Sequence, residues 1–101
     1  MSPDAAWQRL VEVTAGMFGS GDVDAALANS AVYLEAFGHI VVAWMWLEQE
    51  CAAHGRDGDF YDGKRAAAQF FFRYELPKAG PQLDLLESLD RTTLTMRDAW
   101  F

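Results

Sequence analysis

The sequence predicts an all-α protein: an antiparallel helical bundle of three long helices plus a short fourth, forming one domain over residues 1–101. Three observations carry this. Apolar residues recur at three- and four-residue spacings, the period of a helix face, rather than alternating as strands do. Only eight glycines and three prolines are present, too few for the many tight turns of an all-β chain. Hydrophobic residues make up 51% of the chain and aromatic ones 14%, enough for a packed core and too many for disorder.

The first helix is predicted over residues 4–19, with Asp4 as N-cap after Pro3. Trp7, Leu10, Val11, Thr14, Met17 and Phe18 share one face, and Gln8, Arg9 and Glu12 lie on the other. Gly19, Ser20 and Gly21 end it. Asp22 caps the second helix, with Asp24 near its positive end. No breaker except Gly38 follows before Gly55. The pattern therefore predicts one long central helix near residues 22–54, ~30 residues and roughly 45 Å in length. Its middle reads AFGHIVVAWMWLEQE (36–50), where only Gly38 and His39 between Phe37 and Leu47 are not plainly apolar. A helix apolar on most sides is expected to be surrounded by others. Gly38 costs ~1 kcal/mol relative to Ala in a helix, so a close neighbouring backbone is expected there.

A polar turn, HGRDGD (54–59), leads into the third helix, FYDGKRAAAQFFFRYEL, with Phe60, Lys64, Ala67, Phe71 and Tyr74 on one stripe. Pro77 marks a kink or an end. Pro81 suits the first position of a short fourth helix, Gln82 to Leu89, with Leu85, Leu86 and Leu89 as its apolar side. Asp90 is a candidate cap for a last turn over Thr92–Met96, and Trp100 and Phe101 are expected to dock.

The formal net charge of −7 repels a phosphate backbone or an anionic bilayer, so neither nucleic acid nor a membrane surface is an expected partner. The central apolar run is shorter than the ~20 residues needed to cross a bilayer, and it contains His39, so no membrane span is expected. The single cysteine, Cys51, forms no internal disulfide, and MSPDAAWQRL carries no signal-peptide pattern. Both point to a reducing, cytoplasmic setting.

Candidate chemistry is sparse. Glu35 with His39, and Glu50 with His54, are spaced to share a helix face. Di-metal bundles instead need Glu-x-x-His ligands converging from several helices, and these two pairs lie some four turns apart on one helix. No metal site is expected; His39 reads as a satisfied interior histidine and His54 as solvated. Cys51 lacks a recognisable base and reads as a buried, inert thiol. GSGD (19–22) fits no phosphate-loop pattern, and no carboxylate is marked out as an acid or base. Asn29 and Lys64 pose a structural question, since buried polar groups need partners. Lys64 is expected to snorkel or to pair with a carboxylate such as Glu48.

Three segments, ALANSAVYLEAFGHIVVAWMWLEQE (26–50), FYDGKRAAAQFFFRYELP (60–77) and GPQLDLLESLDRTTLTMRDAWF (80–101), resemble the C-terminal helical extension of the large FAD-dependent acyl-CoA dehydrogenases. The residues that carry the resemblance are Asn29, Tyr33, Gly38, His39, Trp44, Trp46, Lys64 and Pro77; Gln69, where an Arg or Tyr is expected, departs from it. In that family of fatty-acid-metabolising oxidoreductases, FAD and a glutamate base carry out α,β-dehydrogenation of acyl-CoA thioesters. Both belong to a core that 101 residues have no room for. The resemblance thus implies no catalytic residue, no cofactor bound by this chain, and no activity of the chain alone. It implies a role in packing or subunit assembly, with the dehydrogenase core or a second copy as partner. The alternative is a free-standing helical dimerisation or interaction protein that associates with a separate subunit.

Overall fold

The computed structural model describes residues 1–101. It is helical throughout, with no strand, and its order is α1 (Pro3–Gly19), α2 (Val23–Leu27), α3 (Ser30–Ala53), α4 (Asp59–Phe70), a π-helical turn (Phe71–Glu75), a 3-10 turn (Leu76–Lys78), α5 (Ala79–Glu87) and a terminal 3-10 turn (Asp98–Trp100). The all-α class is as the sequence predicts.

α1 is capped by Ser2 rather than Asp4: the Ser2 hydroxyl accepts from the Ala5 N–H at 3.1 Å, and Pro3 takes the first helical position. Asp4 falls in the first turn, favourable near the positive helix end. The buried face is Ala6, Leu10, Val13 and Met17, while Trp7, Val11 and Phe18 are exposed. The predicted stripe was therefore rotated toward the bulky residues; the small Ala6 is what lets α1 approach its neighbours. Arg9, expected on the solvent side, reaches α5 and pairs with Asp84 and Glu87.

The predicted helix 22–54 is broken. Asp22 caps α2 as expected, its carboxylate accepting from the Ala25 N–H at 3.0 Å. The helix then stops, and α3 starts at Ser30. Asn29 is the cause. Its backbone leaves helical geometry at φ −114° and ψ 36°, and its side-chain amide donates 3.0 Å to the carbonyl of Asp90. A short polar side chain that finds a partner outside the helix offers the backbone an alternative to the ladder.

α3 has 24 residues, about 36 Å of helix. Its buried residues are Ala36, Ile40, Ala43 and Ala53. It packs against α1, α4 and α5 but is not surrounded: Leu34, Phe37, Val42, Trp44 and Met45 remain exposed. Nothing lies within 4 Å of a Cβ built on Gly38, so the expected close backbone is not there within this chain. By length and composition α3 could cross a membrane, with mean hydropathy 1.3 over its most apolar window. The expectation from run length counted the apolar core of the helix and not its full extent.

Gly55 and Gly58, at φ 74° and 113°, reverse the chain after α3. α4 follows, and Arg65 binds it to the end of α3 by donating to the Ala53 carbonyl at 2.8 Å and the Arg56 carbonyl at 3.1 Å. Pro77 does not end the helical path. The winding widens over Phe71–Glu75 and tightens over Leu76–Lys78, so the missing proline N–H is absorbed by a change of pitch. α5 then begins two residues ahead of Pro81, whose missing N–H still lies in the first turn. In this segment Leu76, Leu83 and Leu86 are buried and Leu89 packs against the core, so of the predicted apolar side Leu86 and Leu89 face inward as expected, while Leu85 is exposed and Leu83 takes its place. Leu89 ends the segment at φ 53°, the left-handed position that closes many helices.

The core lies where α1, α3 and α5 meet: Leu10, Val13, Met17, Ile40, Leu76, Leu83 and Leu86, with Ala6, Ala26, Ala36, Ala43 and Ala79 between them. The Cα extents are 61 × 31 × 15 Å, a thin slab. In the tail, Asp90 accepts from Thr92 as a cap should, and Arg91 pairs with Asp22. Trp100 and Phe101 do not dock; they are 61% and 91% exposed.

Candidate interaction face

Several large apolar side chains outside the core stand on the solvent side of α1 and α3. Trp7 of α1 and Trp44 of α3 stand with ring centroids 6.5 Å apart. With Val41 they line a hollow of about 290 Å³ whose walls are almost wholly apolar. Farther along, Tyr33 stacks on Phe37 at 6.2 Å, and its hydroxyl lies 2.9 Å from the Thr14 hydroxyl of α1. Thr14 itself donates to the Leu10 carbonyl at 2.7 Å, which leaves its oxygen free to accept from the Tyr33 O–H. The outer turns of the two helices are thus pinned together at one end by a hydrogen bond and at the other by two indoles. A carboxylate borders the hollow: Trp44 Nε1 donates to Glu48 Oε1 at 3.2 Å.

His39 sits on a different side of α3, against the π-helical turn. Its Nδ1 lies 2.9 Å from the Glu35 carbonyl, which can only accept, so Nδ1 carries a proton. Nε2 faces Glu75 Oε2 at 3.5 Å and donates to it once the ring is protonated. The ring also lies 6.3 Å from that of Phe71. Lys78 approaches Glu75 at 3.1 Å. The Lys78 hydrogen bond first, and His39 after it, hold the Glu75 carboxyl below the ordinary glutamate range. Glu35 and His39 thus meet through a backbone carbonyl, and the acidic partner is Glu75, which sequence spacing does not reveal.

The remaining sequence candidates are dispersed. Asn29 ties α3 to the tail, Trp46 is half-buried, and Pro77 is exposed in the 3-10 turn. Lys64 does not reach Glu48, which is taken by Trp44; its Nζ stands 5.4 Å over the Phe60 ring, an arrangement worth about 0.5–1 kcal/mol at an exposed site. Cys51 is exposed rather than buried and shares a shallow hollow with Glu50 and His54. Gln69 donates to Glu50 at 3.2 Å. No three His, Cys, Asp or Glu side chains gather in a group that could hold a metal ion. Sequence reasoning missed Arg65, although an arginine about two turns into a helix that follows a Gly-rich reversal is well placed to meet the carbonyls at the end of the preceding helix.

The sequence profile described as acetyl-CoA dehydrogenase C-terminal like matches residues 3–97. The chain belongs to that family. No curated protein and no solved structure gives a match of comparable significance. The family match spans every helix from α1 to α5 and both sides of the exposed face. Within this acetyl-CoA dehydrogenase C-terminal-like domain, what the residues build here is a surface: Trp7, Val41 and Trp44 offer apolar area and shape, with the Glu48 carboxylate at the edge held by Trp44.

Proposed function

We propose that this chain is a non-catalytic helical domain of an acyl-CoA dehydrogenase, which contributes packing or subunit assembly to a flavoenzyme that desaturates acyl-CoA thioesters. The observation that carries this reading is the family match over residues 3–97. The exposed α1/α3 face supports it, because contiguous apolar surface of this kind marks an interaction site. The partner is the dehydrogenase core, against which the open slab becomes one side of a closed antiparallel bundle. α3 is read as a docking helix and not as a membrane span, since Glu35 lies within it and three other helices pack on it. FAD and the acyl-CoA pocket are assigned to the core, and the setting is cytoplasmic.

The chain alone is expected to bind no FAD and to oxidise no acyl-CoA. Purification followed by titration with FAD and an acyl-CoA tests this. No flavin absorbance and no electron transfer are expected; flavin retained one-to-one with the chain overturns the reading. The second reading, a free-standing self-associating protein, is favoured only by the exposed face itself. Light scattering across a concentration series separates the two.

A further inference from the structure

We infer that His39 is a proton-operated latch between α3 and the π-helical turn: its protonated ring ties Glu75 across to α3, and its neutral ring releases it. This goes beyond the assembly role proposed above and does not rest on it.

The first observation is how the two ring nitrogens are committed. Nδ1 stands 2.9 Å from the Glu35 carbonyl, which only accepts, so Nδ1 keeps its proton in both charge states. The neutral ring therefore carries a bare lone pair on Nε2. Glu75 Oε2 lies 3.5 Å from that nitrogen, so in the neutral state two acceptors face each other. One added proton turns the pair into a cation facing a carboxylate, a charge-assisted contact. Histidine is the side chain whose charge ordinarily changes between pH 5 and 8. Glu75, held below the ordinary glutamate range, stays ionised throughout that interval.

The second observation is what else holds Glu75. Around the ring the charged groups are few. Glu35 lies one turn back on α3 itself. On the segment packed against α3 stand Glu75 and, behind it, Lys78, whose Nζ is 3.3 and 3.1 Å from the two carboxylate oxygens. Arg73, in the same turn, is exposed and pairs with neither. The ion pairs of α1, α4 and α5, namely Arg9 with Asp84 and Glu87 and Arg65 with Asp62, do not involve His39. Lys78 follows Glu75 by three residues, so its bond stays local. Of the two cations only His39 belongs to another helix. Its proton thus decides whether Glu75 braces its own segment alone or ties that segment to α3.

The third observation is what the latch holds. Leu76 follows Glu75 directly and is fully buried in the core. Its N–H bonds to the Phe71 carbonyl five residues back, the bond that makes the turn π-helical. Such winding is rare and mostly confined to a single turn. Phe71, at its start, lies 6.3 Å from the His39 ring, so the ring meets the turn at both ends. Solvent protons reach the ring: its side chain is 22% exposed and borders an open hollow of about 290 Å³ beside Gly38.

The test is amide hydrogen exchange of the 101-residue chain at pH 5.5 and 7.5, with each rate corrected for the intrinsic effect of pH. The quantity read is the protection of the Leu76 amide divided by that of Leu83, a buried residue of α5, so that changes in global stability cancel. The ratio is expected to be about two- to fivefold higher at pH 5.5, the range for a partly exposed ion pair. His39→Ala and Glu75→Ala are each expected to abolish this pH dependence. His54→Gln, at the other histidine, is expected to keep it. A histidine that only fills space would leave the ratio the same at both pH values. That result overturns the inference, as does a higher ratio at pH 7.5. So does a pH dependence that survives His39→Ala or vanishes in His54→Gln. Should His39→Ala not fold, the unmodified chain and Glu75→Ala decide the matter by the same ratio.

Discussion

The two long sides of α3 are made of similar material and meet different fates. The inner side presents Ala36, Ile40 and Ala43 to α1 and α5, and all three are at most 1% exposed. The outer side presents Phe37, Trp44 and Met45, larger and no less apolar, and these are 39%, 42% and 55% exposed. The inner side is closed because its alanines admit neighbours closely and because Leu76, Leu83 and Leu86 arrive from the far end of the chain to fill the gap. At the outer side this chain brings only Trp7 of α1, which reaches Trp44 and leaves the rest uncovered. Hydrophobicity therefore reports how much surface must be covered, and not whether the covering belongs to the same polypeptide.

Truncations should separate the two sides sharply. Leu83→Ala, on the inner seam, is expected to destabilise the chain by about 2–5 kcal/mol, as for other fully buried leucines; a denaturant midpoint measures it. Arg65→Ala removes the bonds to the Ala53 carbonyl at the end of α3 and to the Arg56 carbonyl in the turn after it, and should cost about 1–2 kcal/mol, with hydrogen exchange rising first around Ala53. On the outer side Gly38→Ala has open space, so it should stabilise the isolated chain by up to ~1 kcal/mol through helix propensity. A loss of stability there would mean that a neighbour does approach Gly38. Met45→Gln should change the isolated chain by less than ~0.5 kcal/mol.

The smallest effect concerns Glu75, at the join between α3 and the π-helical turn. Its carboxyl titrates below the ordinary value of 4.5 in the folded chain, so its contribution to stability is present above that pH and is lost as pH falls through the folded value. Glu75→Gln should lower the melting temperature slightly near neutrality and flatten its acid decline below about pH 4.5. An unchanged acid limb would show that Lys78 and His39 do not act on Glu75 in solution.

The same contrast explains what could be read from the sequence. Helical period, Asp22 as a cap, the Gly-rich reversals and the all-α class were legible because each is a local property of a few residues. The break at Asn29 was not, because it depends on the Asp90 carbonyl, 61 positions away in sequence. The choice of Ala6 over Trp7 as the inward residue of α1 was hidden for a related reason. Packing rewarded close approach, whereas the periodic pattern gave weight to size. Gly38 was expected to face a neighbouring backbone, and the apolar run around it was expected to be enclosed; both rested on the assumption that this chain supplies its own cover. The pairing of His39 with Glu75 was hidden because it depends on how α3 packs against the π-helical turn, a contact between residues 36 positions apart.

The central claim is that the outer face of α1 and α3 docks on a dehydrogenase core. Its most direct test is a sedimentation titration of this chain against a large acyl-CoA dehydrogenase core prepared without its own C-terminal extension, with flavin absorbance marking the core. A one-to-one complex that Val41→Glu weakens at least tenfold, while Met45→Gln leaves the chain's own stability unchanged, is the predicted result. No complex at any concentration, or a complex that binds the Val41→Glu chain equally well, would contradict it.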